Sequence, residues 1–246
     1  MKSGIRRLFR KAGIEIYRRT IHTSTAAQLN RLLEFCAIDL VLDVGANSGH
    51  YAAQLRANGY MGRIVSFEPL SDAHARLKKA AQADAGWQVA PAMALGSADG
   101  DAVINVAGNS LSSSILQMLP EHEQAAPGSS FVSRENVPMR RLDAVAGSYF
   151  ADARRVLLKI DTQGYEDRVL AGARAVLDRV LAIQAELSLV PLYAGQPLFD
   201  EMRSNLEDVG YELFAVFPGY VHERSGRTLQ LDGFFVRRDA IPDTVQ

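Results

Sequence analysis

Short apolar runs alternate with amphipathic segments along most of the chain. Four of these runs are bounded by turn residues and are rich in Val, Ile and Leu: D-L-V-L-D-V (39–44), R-I-V-S-F-E (63–68), R-V-L-L-K-I-D (155–161) and L-A-I-Q-A-E-L (181–187). Runs of this length predict strands that are buried on both faces, and the segments between them are typical of helices. The alternation predicts an α/β fold with a doubly wound, mostly parallel sheet.

The last two predicted strands, Y-E-L-F-A-V-F (211–217) and L-D-G-F-F-V (231–236), have no helical segment between them. We therefore expect an antiparallel strand at this edge of the sheet. W-Q-V-A-P-A-M-A-L (87–95) predicts the third strand, and D-A-V-I-N-V-A (101–107) is expected to pair with it through a turn. Residues 108–136 are predicted to form a long loop. Its first residues are small and polar, which suits a lid, an edge of the acceptor-binding site or a connecting loop without a function of its own.

The N-terminal residues 1–19 combine apolar positions at helical spacing with seven Lys or Arg and one Glu. They predict a basic amphipathic helix within an extension over residues 1–25, followed by one domain over residues 26–246. Two interpretations of this helix stay open. Either it packs its apolar stripe on the domain, or it contacts an anionic membrane surface as a peripheral attachment.

The composition narrows the range of functions. A formal charge of −1 gives no basic footprint for nucleic acid, so a small molecule or a glycan is the expected partner. Cys36 is the single cysteine, which excludes an internal disulfide and a thiol-rich metal site. No apolar stretch is long enough to span a membrane, and the N-terminus lacks the apolar core of a secretion signal, so a cytoplasmic location is expected.

The first predicted strand runs into the turn D-V-G-A-N-S-G-H (43–50). A dinucleotide fingerprint would have glycine where Asn47 stands, so the fit to a nicotinamide or flavin site is poor. S-adenosylmethionine suits this turn better. Glu68, at the end of the second strand, can accept both ribose hydroxyls, and Asp43 is then free to meet a cationic amine.

Acidic residues stand at or near the ends of four predicted parallel strands: Asp43, Glu68, Asp161 and Glu186. Ligands of doubly wound sheets bind outside these carboxyl ends. A carboxylate within a strand that is buried on both faces would be unfavourable. Acidic residues that occur only at the carboxyl ends of such strands are therefore expected to face a crevice. Helix capping, or solvation in a loop, is the alternative for any one of them.

Five sequence blocks follow one another between about Leu40 and Arg237. They are V-L-D-V-G-A-N-S-G-H-Y, S-F-E-P, L-L-K-I-D-T-Q-G-Y-E, V-L-A-G-A and G-R-T-L-Q-L-D-G-F-F-V-R. In these blocks the chain resembles the FkbM family of S-adenosylmethionine-dependent methyltransferases. The resemblance implies a class I, Rossmann-like fold of seven strands with the last one antiparallel. It also implies O-methylation of a hydroxyl on a sugar, a glycolipid or a polyketide-type natural product.

The resemblance extends to the cofactor site. Carried over position by position, the residues expected to bind S-adenosylmethionine are Asp43, Gly45, Asn47, Gly49, Glu68, Ala92, Met93 and Ala94, the last three beside the adenine. Relatives frequently have Glu where this chain has Gln163, which argues against a metal ion held by several carboxylates. The chain also has no pair of histidines at the spacing of a zinc site.

The first choice for orienting or deprotonating the acceptor hydroxyl is Asp161, because it leaves its strand where such folds place a residue beside the transferring methyl. The alternative is that Asp161 caps the next helix near Gly164. Glu186 and His222 are further candidates for handling the proton, with a salt bridge and an ordinary surface position as their respective alternatives. Asp232 opens the final strand and is a weaker candidate.

Two rival functions belong to other classes. A non-catalytic protein could keep the fold for recognition, but damage to Asp43, Gly45 or Glu68 would then be expected, and all three are intact. A nucleic-acid methyltransferase is disfavoured by the near-neutral charge and by the absence of an N-P-P-Y or D-P-P-Y motif.

Overall fold

Ten strands build two sheets in the described part of the chain, which is residues 9–241 of a computed structural model. In chain order the strands are β1 (Leu40–Val44), β2 (Arg63–Phe67), β3 (Trp87–Val89), β4 (Ala94–Leu95), β5 (Gly100–Ala107), β6 (Phe131–Arg140), β7 (Val156–Ile160), β8 (Val180–Ser188), β9 (Tyr211–Pro218) and β10 (Gln230–Arg237). Seven of them form one sheet in the order β3-β2-β1-β7-β8-β10-β9. All are parallel except β10, which runs antiparallel to both neighbours. The predicted doubly wound sheet with an antiparallel last strand is confirmed.

Helices cover both faces of the large sheet. They are α1 (Thr25–Phe35), α2 (His50–Ala57), α3 (Ser71–Ala81), α4 (Pro120–Ala125), α5 (Leu142–Val145), α6 (Gly147–Phe150), α7 (Glu166–Ala171) and α8 (Phe199–Asp208), with 3-10 turns at Arg174–Arg179 and Arg238–Ala240. One hydrophobic cluster includes Leu33, Leu55 and Leu77 from α1 to α3. A second cluster includes Val169 of α7 and Met202 of α8. Because both faces are covered, the central strands have apolar residues in succession rather than in alternation.

A second sheet, in the order β4-β6-β5, corrects the predicted pairing of residues 101–107. β5 pairs antiparallel with β6 and not with β3, so that Ala102 lies opposite Val137. The cause is Pro91. The chain follows the large sheet as far as Ala90, whose N–H donates to the carbonyl of Ser66 at 3.0 Å, and the next residue is a proline, which has no N–H with which to continue the ladder.

The basic N-terminal segment is helical over only a short stretch of its described part. The helix ends at Lys11, Gly13 adopts a φ of +73°, and residues 14–20 have no regular secondary structure. Residues 1–8 of the predicted amphipathic helix lie outside the described residues. The guanidinium of Arg19 donates to Asn58 Oδ1, which attaches the segment to the C-terminal end of α2. Within residues 9–241, no helix has the length and apolar character needed to cross a membrane.

Candidate active site

A cleft of about 390 Å³ opens at the carboxyl ends of β1, β2, β7 and β8. Its walls come from the turn after β1, from Glu68 after β2, from residues 161–163 after β7 and from Glu186 of β8. Ser110, Leu111 and residues 113–115, at the start of the predicted long loop, form another wall. The cleft therefore lies where a doubly wound sheet binds its ligands, as the sequence predicts.

Two rows of polar side chains cross one face of the large sheet. The first row is buried and joins register partners on four adjacent strands: Ser66, Asp43, Lys159 and Gln184. Residues two apart in a strand share a face. On β2, β7 and β8, or just beyond the ends of these strands, the residue two positions nearer the cleft than the first row is an acid, and β10 carries a fourth acid at the same level. This second row is Glu68, Asp161, Glu186 and Asp232. All four side chains of the second row line the cleft.

Asp43 is fully buried and does not line the cleft, which corrects its predicted contact with a cofactor amine. Its Oδ1 lies 3.2 Å from Lys159 Nζ, and its Oδ2 accepts a hydrogen bond from Ser66 Oγ at 3.1 Å. Lys159 Nζ also lies 3.5 Å from Asp161 Oδ2 and donates to the carbonyl of Gly45 at 3.3 Å. Burial alone would lower the pKa of Lys159, but the carboxylates of Asp43 and Asp161 raise it above the usual value. The cationic group that Asp43 contacts is thus the ammonium of Lys159 within the protein.

The turn after β1 depends on backbone conformations that glycine and asparagine tolerate. Gly45 has a φ of +74°, and a Cβ there would stand 1.9 Å from the carbonyl oxygen of Asp161. Asn47, with a φ of +46°, takes a left-handed position that a dinucleotide fingerprint would fill with glycine. Gly49 does not line the cleft. A Cβ at Gly49 would stand 2.8 Å from the ring of Trp87, so this glycine allows α2 to pack on the sheet.

Glu68 is buried at the edge of the cleft and is held by two backbone donors. Its Oε2 accepts from the N–H of Asn47 at 2.8 Å and its Oε1 from the N–H of Leu70 at 2.9 Å. Burial raises the pKa of Glu68 to about 7, although the two backbone hydrogen bonds oppose the shift. Each carboxylate oxygen keeps a lone pair for a further donor, which suits a vicinal diol.

The opposite side of the cleft holds three carboxyl groups. Gln163 Nε2 donates to Asp161 Oδ1 at 2.8 Å and to Glu186 Oε2 at 2.9 Å, while Asp232 lies opposite Glu186 in the β8–β10 register. Withdrawal from solvent and the neighbouring carboxylates raise the pKa of Glu186 well above its usual value. Burial, with Asp161 nearby, raises the pKa of Asp232 to about 6. One side of the cleft thus holds three neighbouring carboxyl groups, and two of them bind a proton more readily than an isolated carboxylate does.

Asp161 is not a helix cap. The carboxylate that orders the start of α7 belongs to Glu166, whose Oε1 accepts from the backbone N–H groups of Thr162 at 2.7 Å and Gly164 at 3.3 Å. Burial raises the pKa of Glu166 to about 7. The side chain of Asp161 stays 38% exposed and lines the cleft. This leaves its carboxylate available to a ligand.

Two other predicted site residues do not reach the cleft. His222 lies in the β9–β10 loop, where Nδ1 is 2.8 Å from Ser225 Oγ, and it is not among the lining residues. Ala92 is also absent from the lining, although Met93 and Ala94 belong to it as expected. Pro91 directs the chain toward β4, so the contact with the cleft begins one residue later than predicted.

Sequence reasoning missed three residues that line the cleft, namely Lys159 and Gln184 of the buried row and the half-buried Tyr51. Tyr51 OH donates to Gln184 Oε1 at 2.8 Å, and Lys159 Nζ lies 5.2 Å from the centroid of the Tyr51 ring. A signal was present, since Lys159 and Gln184 each precede a strand-end acid by two residues and must share its face. Asp232, the weaker candidate, also lines the cleft, because the antiparallel register places it opposite Glu186. Within residues 9–241, no cluster of three or more His, Cys, Asp and Glu side chains is arranged to hold a metal ion.

A sequence model of the methyltransferase FkbM domain matches residues 43–213. The chain belongs to this family. It is therefore an S-adenosylmethionine-dependent methyltransferase, and S-adenosylmethionine is its cofactor. The observed strand order, with its antiparallel last strand, is that of the class I fold that the resemblance implied.

Solved structures of other methyltransferases resemble this FkbM-family chain at low identity. Magnesium protoporphyrin IX methyltransferase from Synechocystis PCC 6803, with bound cofactor, is 13% identical, with coverage of 96% of this chain and 91% of that one and a TM-score of 0.45. The mitomycin 7-O-methyltransferase MmcR is 12% identical, with coverage of 86% and 52% and a TM-score of 0.45. PH1948 from Pyrococcus horikoshii, provisionally assigned as an RNA methyltransferase, is 13% identical, with coverage of 92% and 89% and a TM-score of 0.43. No curated protein matches the chain.

The donor set of the cleft suits the cofactor of an FkbM methyltransferase. One part of the cleft is apolar and can take an adenine ring; its side chains include Phe67, Leu70, Met93, Leu95, Ile104 and Ile115. Glu68 offers two acceptors at its edge for the ribose diol. The acidic side, where the carboxylate of Asp161 lines the cleft, complements the positive sulfonium and ammonium groups. These features agree with the family assignment.

Proposed function

We propose that this FkbM methyltransferase methylates a hydroxyl group of a sugar, a glycolipid or a polyketide-type natural product. The observation that carries the proposal is the row of carboxyl groups formed by Asp161, Glu186 and Asp232. Carboxylates accept hydrogen bonds from hydroxyl groups, and the protonated ones also donate. A polyhydroxylated acceptor therefore finds several partners on this side of the cleft.

The charge of the cleft argues against a nucleic-acid acceptor. Among the described residues that line it, Lys159 is the single Lys or Arg, and its ammonium is already engaged by Asp43 and Asp161. Proteins that bind nucleic acid neutralise phosphates with several basic side chains. A polyanion would instead meet the carboxylates of the second row, so a neutral hydroxyl acceptor is favoured.

For the cofactor, we assign the ribose diol to Glu68 and the adenine to the side of the cleft with Met93 and Ala94. Gly45 and Asn47 shape the turn against which the cofactor lies. When bound, S-adenosylmethionine supplies an electrophilic methyl group on a sulfonium. The tasks left to the protein are to align the acceptor oxygen with that methyl and to remove the hydroxyl proton.

We assign proton removal to Asp161. As the acceptor oxygen forms its bond to the methyl carbon and the carbon–sulfur bond breaks, the hydroxyl proton passes to the Asp161 carboxylate. Burial and the neighbouring carboxylates raise the pKa of Glu186 and so favour its neutral form, and we therefore assign to Glu186 the orientation of the acceptor rather than the removal of the proton. His222 lies away from the cleft and has no part in this scheme.

The test is an acceptor panel analysed by mass spectrometry. Purified protein is incubated with S-adenosylmethionine and with monosaccharides, glycolipids, hydroxylated polyketides or bulk tRNA, and products are examined for the mass of one added methyl group. We expect a methyl ether on a hydroxyl acceptor, with formation of S-adenosylhomocysteine in equal amount. Methylation confined to tRNA would overturn the acceptor class, and tight cofactor binding without transfer to any acceptor would favour a non-catalytic role.

A further inference from the structure

One amide group joins the two carboxyl groups at the centre of the proposed reaction. Gln163 Nε2 donates one hydrogen to Asp161 Oδ1 at 2.8 Å and the other to Glu186 Oε2 at 2.9 Å. Its Oε1 accepts from Tyr193 OH at 3.0 Å. Both N–H groups and the carbonyl of the side chain are thus in use.

Tyr193 fixes which way this amide points. The side chain of Tyr193 is fully buried, and its OH also lies within hydrogen-bond distance of the carbonyl of Ser112, at 3.0 Å. Its ring packs on His122, with 5.1 Å between the ring centroids. A flipped amide would turn Oε1 of Gln163 toward two carboxyl groups and lose the bond from Tyr193.

The backbone at Gln163 supports the same conclusion. Its φ of +55° lies in the left-handed region, which a residue with a long side chain rarely adopts. Such conformations persist where the surroundings over-determine them, and they concentrate at functional sites. Here the adjacent Gly164 has a φ of +92°, and Tyr193 packs against it. The strained turn aims the amide at the carboxyl pair.

We propose that Gln163, oriented by Tyr193, is a positioning residue for methyl transfer, which holds Asp161 and Glu186 side by side so that one carboxyl takes the acceptor proton while the other orients the acceptor. The inference rests on the proposed function for its catalytic meaning. The amide contributes no charge of its own. It can therefore hold two carboxyl groups together without competing for the proton that passes between acceptor and protein.

The electrostatic surroundings make this arrangement measurable. The charged groups that face Glu186 are Asp161 and Lys159 from the β7 side, Glu166 from α7 and Asp232 from β10, and the phenol of Tyr193 lies nearby. Gln230 Nε2, from β10, is a second neutral donor to Glu186 Oε2 at 2.7 Å. A hydrogen bond donated to an ionised carboxylate lowers its pKa, so loss of the bond from Gln163 raises the pKa of Glu186 further.

The test uses two variants with matched controls. Tyr193→Phe removes the hydroxyl that orients the amide, and Gln163→Met keeps the length of the side chain and adds no charge but removes both N–H donors. The controls are Tyr220→Phe, a second tyrosine whose ring lies beside His122, and Gln117→Met, an exposed glutamine elsewhere in the long loop. Side-chain carboxyl carbons are titrated by ¹³C NMR on each full-length protein. The Glu186 signal is assigned from its loss in Glu186→Gln.

We expect both test variants to raise the pKa of Glu186 by roughly one pH unit and both controls to leave it unchanged. With the hydroxyl acceptor found by the panel, Tyr193→Phe should lower kcat by roughly tenfold to a hundredfold and leave KM for S-adenosylmethionine unchanged. A residue with a purely structural role would lower the melting temperature without moving the titration. If Tyr193→Phe does not fold, Gln163→Met still decides the question.

Two results would overturn the inference: an unchanged Glu186 titration in both folded test variants, or a wild-type kcat in Tyr193→Phe. The titration needs no acceptor, so it separates this inference from the proposed function. A shift in the titration together with no methylated hydroxyl acceptor would refute the proposed function and the catalytic role of Gln163, while the hydrogen-bonded arrangement of Gln163 with Asp161 and Glu186 would stand.

Discussion

Asp43 and Lys159 form an ion pair inside the large sheet, with Asp43 Oδ1 3.2 Å from Lys159 Nζ across the β1–β7 pair. The pair lies directly beneath the acids of the cleft. Lys159 reaches from it to Asp161 Oδ2 at 3.5 Å and to the carbonyl of Gly45 at 3.3 Å. A single buried cation therefore ties the glycine turn to the proposed base, and the layer beneath the site serves to position the site.

Breaking this ion pair from one side should destabilise the protein. Lys159→Met leaves the Asp43 carboxylate buried without its cation, and the expected loss in free energy of unfolding is about 3–5 kcal/mol, measured by urea denaturation. The double variant Asp43→Asn with Lys159→Met removes both charges and should recover most of that loss. As a surface control, Arg76→Met breaks the exposed pair with Asp72 and should cost less than about 1 kcal/mol. A double variant as unstable as the single one would contradict the assignment.

Cofactor affinity should depend on the ionisation of Glu68. Protonation removes an acceptor for the ribose diol, and the pKa of Glu68 is raised to about 7 by burial. The affinity for S-adenosylhomocysteine should therefore increase between pH 6 and pH 8 and level off above that range. Glu68→Gln should weaken binding by about 1.5–3 kcal/mol and remove this pH dependence.

Calorimetric titrations across this pH range provide the measurement for Glu68. The control is Glu135→Gln, because Glu135 also accepts a backbone N–H, that of Ser71, but does not line the cleft. It should keep the affinity and the pH profile of the wild type. A pH-independent affinity in the wild-type protein would contradict the assignment of the diol to Glu68.

The N-terminal segment gives a separate prediction, that of a peripheral contact with anionic membranes. Its described part exposes Ile14, Tyr17 and Ile21, with Arg18 and Arg19 between them. Basic residues interspersed with exposed apolar ones favour an anionic lipid surface. We predict that deletion of residues 1–19 reduces co-sedimentation with phosphatidylserine vesicles and leaves the affinity for S-adenosylhomocysteine unchanged. Equal co-sedimentation of both proteins would refute the contact.

The sequence was sufficient for the acids that terminate parallel strands. Glu68, Asp161 and Glu186 follow apolar runs whose direction is set by the alternation with helices, so their common edge could be inferred without coordinates. Asn47 was also informative, because its place in the glycine turn argued against a dinucleotide. These features depend on local pattern and on a topological rule that holds across doubly wound sheets.

Features that depend on register could not be read from the sequence. Asp43 follows an apolar run just as the other strand-end acids do. In the sheet, however, it lies in register with Lys159, farther from the cleft than those acids, and pairs with Lys159 rather than lining the cleft. Asp232 reaches the cleft because β10 runs antiparallel beside β8. The predicted partner of β5 was wrong, because Pro91 ends the hydrogen-bond ladder of β3. The position of His222 depends on the path of the β9–β10 loop, which local sequence patterns do not determine.

The measurement that tests the central claim most directly is the single-turnover rate of methyl transfer in Asp161→Asn, with the hydroxyl acceptor from the panel and saturating S-adenosylmethionine. If Asp161 receives the acceptor proton, the rate should fall by about 10²–10⁴-fold while the affinity for S-adenosylhomocysteine stays that of the wild type. The melting temperature, measured on the same sample, reports any loss of the contact with Lys159. A variant that melts earlier but transfers the methyl group at the wild-type rate would contradict the account and return Asp161 to a structural role.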